Sequence, residues 1–226
     1  MDDSIVLKNK LYSKGLTEQD IKEYWKDNHS KIIKETDRSN VLLFISKDVN
    51  DLIVKRKHNN KPIIINRNNW ETFLTGRTLQ VSIETPDITN RFVLDIDAKE
   101  NISERIKKDV LRSMIEFFYN IKDKYDFEKF RIINTSNSYN IMFYTRYKTK
   151  RKYLFEVVFS ELYEQNYDNL YDINKKRKTR DINLDFTPMY DRGTFVCPYS
   201  LNRNGTKSMD VTNTWENWNR KESILK

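Results

Sequence analysis

Asp95, Asp97 and Asp185 are the residues whose types and spacing could do chemistry. Asp95 and Asp97 flank Ile96 at the end of the apolar run Arg91–Asp97. Side chains alternate along a strand, so both carboxylates share one face while Ile96 points into a core. Two carboxylates that close repel one another unless a cation sits between them. A hard divalent ion with oxygen ligands meets that need and keeps positions open for substrate phosphates. Two solvated strand-end aspartates are the simpler reading of this pair taken alone. Asp185 shifts the balance, because it lies in the apolar run INLDF, where a charge is costly without a partner. If these two strands are neighbours, three carboxylates converge. Two-metal phosphoryl transfer needs such a set, one ion for the attacking hydroxyl and one for the leaving pyrophosphate.

The elements that must position these acids follow from periodicity. Thr17 to Lys34 reads as a helix with a Thr17–Asp20 capping box and Ile21, Tyr24, Trp25, Ile32 and Ile33 on one face. Strands are expected at Val41–Ser46, Leu52–Val54, Pro62–Ile65 and Thr78–Glu84, with a helical turn at Asn69–Leu74. The strand Arg91–Asp97 precedes a long amphipathic helix, Ser103–Tyr125, with Ile106, Val110, Met114, Phe117, Phe118 and Ile121 at helical spacing. Strands Phe130–Thr135 and Tyr139–Tyr144 follow, joined by a polar Ser-Asn-Ser turn. Leu154, Phe155, Val158, Phe159 and Leu162 mark another helix, and Asp181–Phe186 and Thr194–Cys197 close the set as strands. Strand, helix, two strands, helix, strand is the order of a split βαβ, or RRM-like, sheet.

The 226 residues suffice for one generous domain or two modules. Twelve Phe, thirteen Tyr and four Trp can fill a core, and only four Gly and four Pro argue against a loop-rich or disordered chain. A net charge of +8 favours a polyanionic partner. Basic clusters at Lys55–Lys61, Arg146–Lys152 and Lys175–Arg180 are expected outside the regular elements, the last two in loops beside sheet strands. Each alone is a solvated surface; three around one acidic site would offset phosphate charge. The single Cys197 excludes an internal disulfide and a multi-thiolate zinc site, and reads as a small core residue. His29 and His58 read as surface residues, and Trp215 and Trp218 as a packed C-terminal lid. No secretory signal and no membrane-length apolar run is present, so a soluble intracellular protein is expected.

FVLDIDA, at residues 92–98, resembles the first motif of the archaeo-eukaryotic primase superfamily. The nearest likeness is to the polymerase domain of bacterial end-joining DNA ligases, with the small catalytic subunit of archaeal and eukaryotic primase alongside. Residues 185–201, from Asp185 through Thr194 to Pro198-Tyr-Ser-Leu, align without a gap to the family's third motif. The opening LYSKGLTEQDIKEYW and the closing Trp215-Glu216 resemble the family's two ends, so the likeness runs collinearly from about Leu7 to Trp218. The resemblance implies an α+β fold, an N-terminal α/β module (1–88) packed on an RRM-like catalytic module (89–226). It implies Asp95, Asp97 and Asp185 as catalytic metal ligands, Mg2+ or Mn2+ as cofactor, and template-directed nucleotide addition. DNA template and primer and nucleoside triphosphates would be the partners, with a helicase or a primase large subunit beside them.

The likeness has departures. The family's second motif, Ser-Gly then His, is met by Ser136, Ser138 and Met142, with Met142 where the His contacts triphosphate. Methionine cannot donate a hydrogen bond, and Tyr139 or Arg146 are candidates to replace that contact. Ser200 and, beside Asn202, Arg203 complete the implied nucleotide-binding set, and Ser82 stands where the family has another His. Lys55 matches a phosphate-contacting lysine. Lys10 matches one of two lysines that hold a 5′-phosphate, but Glu18 replaces the other, which argues against end-joining specificity. Arg146, Lys175 and Arg177 join Lys10 and Lys55 as expected nucleic-acid contacts. An active primase-polymerase is the first reading, for replication or repair. A catalytically weakened relative that binds nucleic acid is the second, and a metal-dependent nuclease using the same acids is the third.

Overall fold

A computed structural model describes residues 5–8, 15–47, 51–98, 102–135, 138–171, 173 and 181–215. In chain order the elements are β1 (Ile5–Lys8), α1 (Glu18–Thr36), β2 (Val41–Ser46), β3 (Asp51–Lys55), β4 (Lys57–His58), β5 (Lys61–Pro62), α2 (Trp70–Phe73) and β6 (Thr78–Glu84). Then come β7 (Ile88–Ala98), α3 (Glu104–Ile121), β8 (Phe127–Asn134), β9 (Tyr139–Lys150), α4 (Arg151–Glu164), β10 (Ile182–Asp185), β11 (Thr194–Val196) and β12 (Met209–Asp210). The sequence reading divides the chain once, after residue 88. By contacts there are two units, Met1–Pro86 with Thr194–Met209, and Asp87–Gly193 with Asp210–Lys226.

The first unit is built on an antiparallel sheet ordered β1-β3-β2-β6-β11. Thr17 caps α1, its hydroxyl accepting from the Asp20 N–H while the Asp20 carboxylate accepts from the Thr17 N–H, as the sequence predicts. The helix buries Ile21, Trp25 and Ile32, and the Trp25 indole donates to the Thr78 carbonyl at 2.8 Å. That bond ties the helix to the start of β6, so the buried N–H is satisfied. The expected strand at residues 62–65 shrinks to Lys61–Pro62, paired with β4. Ile63 and Ile65 are nevertheless buried, and the Ile63 carbonyl accepts from Val41 outside any ladder.

The second unit has the predicted strand-helix-strand-strand-helix-strand order, with its sheet ordered β10-β7-β9-β8-β12. Ser103 caps α3 by accepting from the Ile106 N–H. Val110, Met114, Phe117, Phe118 and Ile121 are buried as their spacing predicts, but Ile106, in the first turn, is 41% exposed. α3 packs on β8, and α4 on β7 and β9. One face of the sheet therefore holds the core, in which Phe143 lies 5.2 Å from Phe118 and 5.7 Å from Phe92.

Two basic clusters do not lie outside the regular elements. Lys55–Lys61 is spread over the ends of β3, β4 and β5, and Arg146–Lys150 continues β9 into Arg151 and Lys152 of α4. Hydrophobic alternation ends at Thr145, but the ladder continues, with Thr89 opposite Thr149 and Ile88 opposite Lys150. Backbone pairing needs no apolar side chain, so a strand can outrun its core. Arg151 is a structural cation: it reaches Asp87 at 2.7 Å and the Tyr190 carbonyl at 2.8 Å. The cluster 175–180 lies outside the described residues. Among the described residues no helix is long and apolar enough to cross a membrane.

Candidate functional site

The second face of the second unit's sheet carries the acids. β10 pairs antiparallel with β7, placing Asp185 directly opposite Asp95 and Asn183 opposite Asp97. Alternation puts Asp95, Asp97, Asn183 and Asp185 on one face, opposite to the one on which Leu94, Ile96 and Leu184 enter the core. Directly opposed residues have Cβ atoms roughly 4.5–5.5 Å apart, so the Asp95 and Asp185 side chains start from neighbouring positions on that face. On the other flank β9 brings Asn140 opposite Asp95 and Met142 opposite Val93. A row Asp185–Asp95–Asn140 thus crosses three strands.

Burial makes that row electrostatically demanding. Asp185 is 7% exposed, Asn183 7% and Asn140 2%. One Asp185 oxygen is engaged by its own turn, accepting from the Thr187 N–H at 2.8 Å and the Thr187 hydroxyl at 2.5 Å. Gly193 keeps that turn tight, since a Cβ there would overlap the Thr187 carbonyl oxygen. The Asn140 Oδ1 and both polar atoms of Asn183 are buried without a hydrogen-bond partner among the described residues. Each such group costs about 1–3 kcal/mol relative to a bonded one.

The donor set consists of carboxylate and carboxamide oxygens with no thiolate or imidazole among them, which suits a hard divalent cation. The side chains as they stand are not gathered into a cage: among the described residues no three His, Cys, Asp or Glu side chains form a group that could hold a metal ion. The backbone register brings the acids to one face; the Asp185–Thr187 bonds turn part of the third carboxylate toward its own loop. Asn140 and Asn183 were not singled out from sequence. Asn183 was within reach of the alternation argument, being two residues before Asp185 in the same strand.

The remaining expected site residues are spread over both units. Ser138 lies at the turn into β9, its hydroxyl 2.7 Å from that of Thr135. Met142 is fully buried, and its sulfur accepts from the Tyr144 hydroxyl at 3.4 Å. Neither proposed stand-in for the missing His faces this row. Tyr139 points to the helical face and donates to Glu104 at 2.8 Å, and burial, then Glu104, pushes its phenol well above the ordinary range. Arg146 is exposed, ion-paired with Glu128 at 2.8 Å, and six residues along β9 from Asn140, about 20 Å for an extended strand.

In the first unit, the Ser200 hydroxyl is committed to the backbone, accepting from Val81 N–H at 2.8 Å and donating to the Leu201 carbonyl at 2.6 Å. Arg203 is exposed with its guanidinium 5.3 Å over the Phe44 ring, and its N–H donates to Gln80. Gln80 in turn donates to Ser82 at 2.8 Å. Lys55 ends β3, half-buried. Glu18 is paired with Arg77 at 2.7 Å. Cys197 is fully buried, as expected of a core residue. His29 is half-buried, stacked on Trp70 at 4.4 Å, rather than a bare surface residue. Trp215 is 7% exposed. Lys10, Ser136, Lys175, Arg177 and Trp218 lie outside the described residues.

No family model and no curated protein matches this chain. Among solved structures it is similar to the polymerase domain from Mycobacterium tuberculosis Ligase D in complex with DNA, with a TM-score of 0.74 and 14% identity. That match covers 95% of this chain and 88% of the other. The shared property is the fold, the α+β architecture expected from sequence.

Proposed function

We propose that this chain is a metal-dependent nucleotidyltransferase of the primase-polymerase type, acting on DNA. The register that sets Asp185 opposite Asp95, on the face shared with Asp97, carries the reading. The net charge of +8 and the fold shared with a DNA-bound polymerase domain support it. Asp95, Asp97 and Asp185 would hold Mg2+ or Mn2+. When bound, the cation supplies charge neutralisation between the carboxylates and substrate phosphates. The reaction is attack of a primer 3′-hydroxyl on the α-phosphorus of a nucleoside triphosphate, with pyrophosphate leaving.

The chain's own residues shape this reaction in two ways. Thr187 orients Asp185 through two hydrogen bonds to one carboxylate oxygen. Met142, buried and unable to donate, offers no contact to a triphosphate. Glu18, already paired with Arg77, does not serve a 5′-phosphate, so the reading is nucleotide addition without end-joining specificity.

Extension of a labelled primer on a DNA template with Mn2+ tests the proposal. Replacing both Asp95 and Asp97 by Ala should lower the rate by about three orders of magnitude or more. Undiminished extension by the double variant would sink the mechanism. A second reading, a relative that binds nucleic acid without catalysis, is favoured by the Asp185 carboxylate being turned toward Thr187. Salt-sensitive DNA binding by the wild type, with no incorporation under either metal, would select it.

A further inference from the structure

Two buried carboxamides beside the acids have polar atoms that the protein does not satisfy. Asn183 stands opposite Asp97 and two residues before Asp185, and Asn140 stands opposite Asp95 on the other flank. The first is 7% exposed and the second 2%. Among the described residues neither Asn183 Oδ1 nor Asn183 Nδ2 has a hydrogen-bond partner, and Asn140 Oδ1 has none. Buried polar groups in folded proteins are almost always paired, and an Asn–Leu exchange would remove the problem while keeping the branching and the number of heavy atoms. A sequence that retains both carboxamides in an otherwise packed face has a use for them.

The type of the orphaned atoms indicates the ligand. A carbonyl oxygen among carboxylates has no donor to turn to, so the group that satisfies it must be positive or carry an N–H or O–H. An orphaned amide N–H2 on the same side chain must meet an acceptor. A divalent cation bound to a phosphate presents both characters at once, and exchanging the O and N of Asn183 leaves that match unchanged. Resting on the proposed nucleotidyl-transfer reading, we infer that Asn140 and Asn183 are neutral ligands of this site. Their Oδ1 atoms complete the oxygen shell of the cation held by Asp95 and Asp97, and Asn183 Nδ2 donates to a phosphate oxygen of the incoming nucleotide. Neutral oxygens add coordination without adding to the repulsion among the three acids.

Manganese binding, followed by electron paramagnetic resonance with Mn2+ alone and then with Mn2+ and a nucleoside triphosphate, tests this without any turnover. Asn183→Leu should weaken Mn2+ binding about tenfold or more, and Asn140→Leu should act in the same direction. Asn183→Asp, which keeps the oxygen and adds a charge, should restore or tighten Mn2+ binding but lose part of the triphosphate-dependent gain. Thermal denaturation without metal should show Asn183→Leu as stable as the wild type or more so. Mn2+ binding unchanged in both Leu variants, while Asp95→Ala/Asp97→Ala abolishes it, overturns the carboxamide role and leaves the nucleotidyl-transfer reading standing. A metal-free melting point lowered by several degrees in Asn183→Leu, with the Asp variant no better at binding Mn2+, assigns Asn183 to structure and overturns the inference. Absence of Mn2+ binding in the wild type overturns both.

Discussion

The two units both bury polar side chains in and beside their five-stranded sheets, and they treat them differently. In the first unit Gln80, Ser82 and Ser200 are at most 5% exposed, and each is bonded. Gln80 donates to Ser82 and accepts from the Arg203 N–H, while Ser200 bridges Val81 and Leu201. In the second unit Asn140 and Asn183 are also buried, yet three of their polar atoms lack partners among the described residues. The first arrangement is closed: its groups are spent on holding strands together. The second is open, and the open groups lie beside carboxylates. Ser208, whose buried hydroxyl has no partner among the described residues, is an exception in the first unit. Satisfaction, rather than burial or polarity, separates the structural row from the candidate site.

The contrast can be broken most forcefully from beneath. Phe143 lies on the core face of the second sheet among Phe92, Phe117 and Phe118. Phe143→Ala should lower unfolding free energy by about 3–5 kcal/mol in urea denaturation, because stability resides on this face. A loss under 1 kcal/mol would mean that the polar face carries stability after all. Next in size is Ser200→Ala, which strands the buried Val81 N–H and should cost about 1–3 kcal/mol. Set beside a neutral Asn183→Leu, that difference is the sharpest form of the comparison; equal losses would erase it.

Asp210, a bonded carboxylate of the second unit's sheet, supplies a pH-dependent refinement. It pairs with Arg131 at 2.7 Å and accepts from the Thr212 N–H and hydroxyl. Burial raises its pKa, but the Thr212 bonds and Arg131 outweigh that and hold it below the usual aspartate value. A folded-state pKa depressed below the unfolded one contributes stability above about pH 4 and loses it as pH falls through the folded value. Asp210→Asn should therefore cost about 1.5 kcal/mol at pH 7 and progressively less below pH 4, read from melting curves at both ends. A penalty independent of pH would refute the ion-pair account. The smallest effect belongs to Thr17→Ala, which removes a solvent-exposed helix cap and should cost about 1 kcal/mol in the same assay. A larger loss would show that α1 depends on its cap more than on buried Trp25.

Much of this was legible beforehand, and the reasons differ by element. The Thr17–Asp20 box and the cap at Ser103 are encoded within four residues, so both helix starts could be read directly. Aromatic spacing in α3 gave its buried face, except Ile106, because a first turn can project past the sheet it packs on. The basic run after Tyr144 misled, because charge signals solvent exposure and is silent on whether a backbone ladder continues. Asn140 and Asn183 escaped notice because asparagine in a strand looks like surface until its neighbours are known.

The chain's periodicity by itself determined the main helices and the longer strands of both units, and that Asp95 and Asp97 share a face, because alternation is a property of consecutive residues. It could not determine that Asp185 falls opposite Asp95 rather than one position away, on the core side. Register between strands so distant in sequence is decided by how the helices α3 and α4 fill the other face of the sheet, and only the folded packing specifies it. The return of residues 194–209 to the first unit, and the orphaned carboxamides beside the acids, are likewise consequences of long-range pairing that local pattern does not carry.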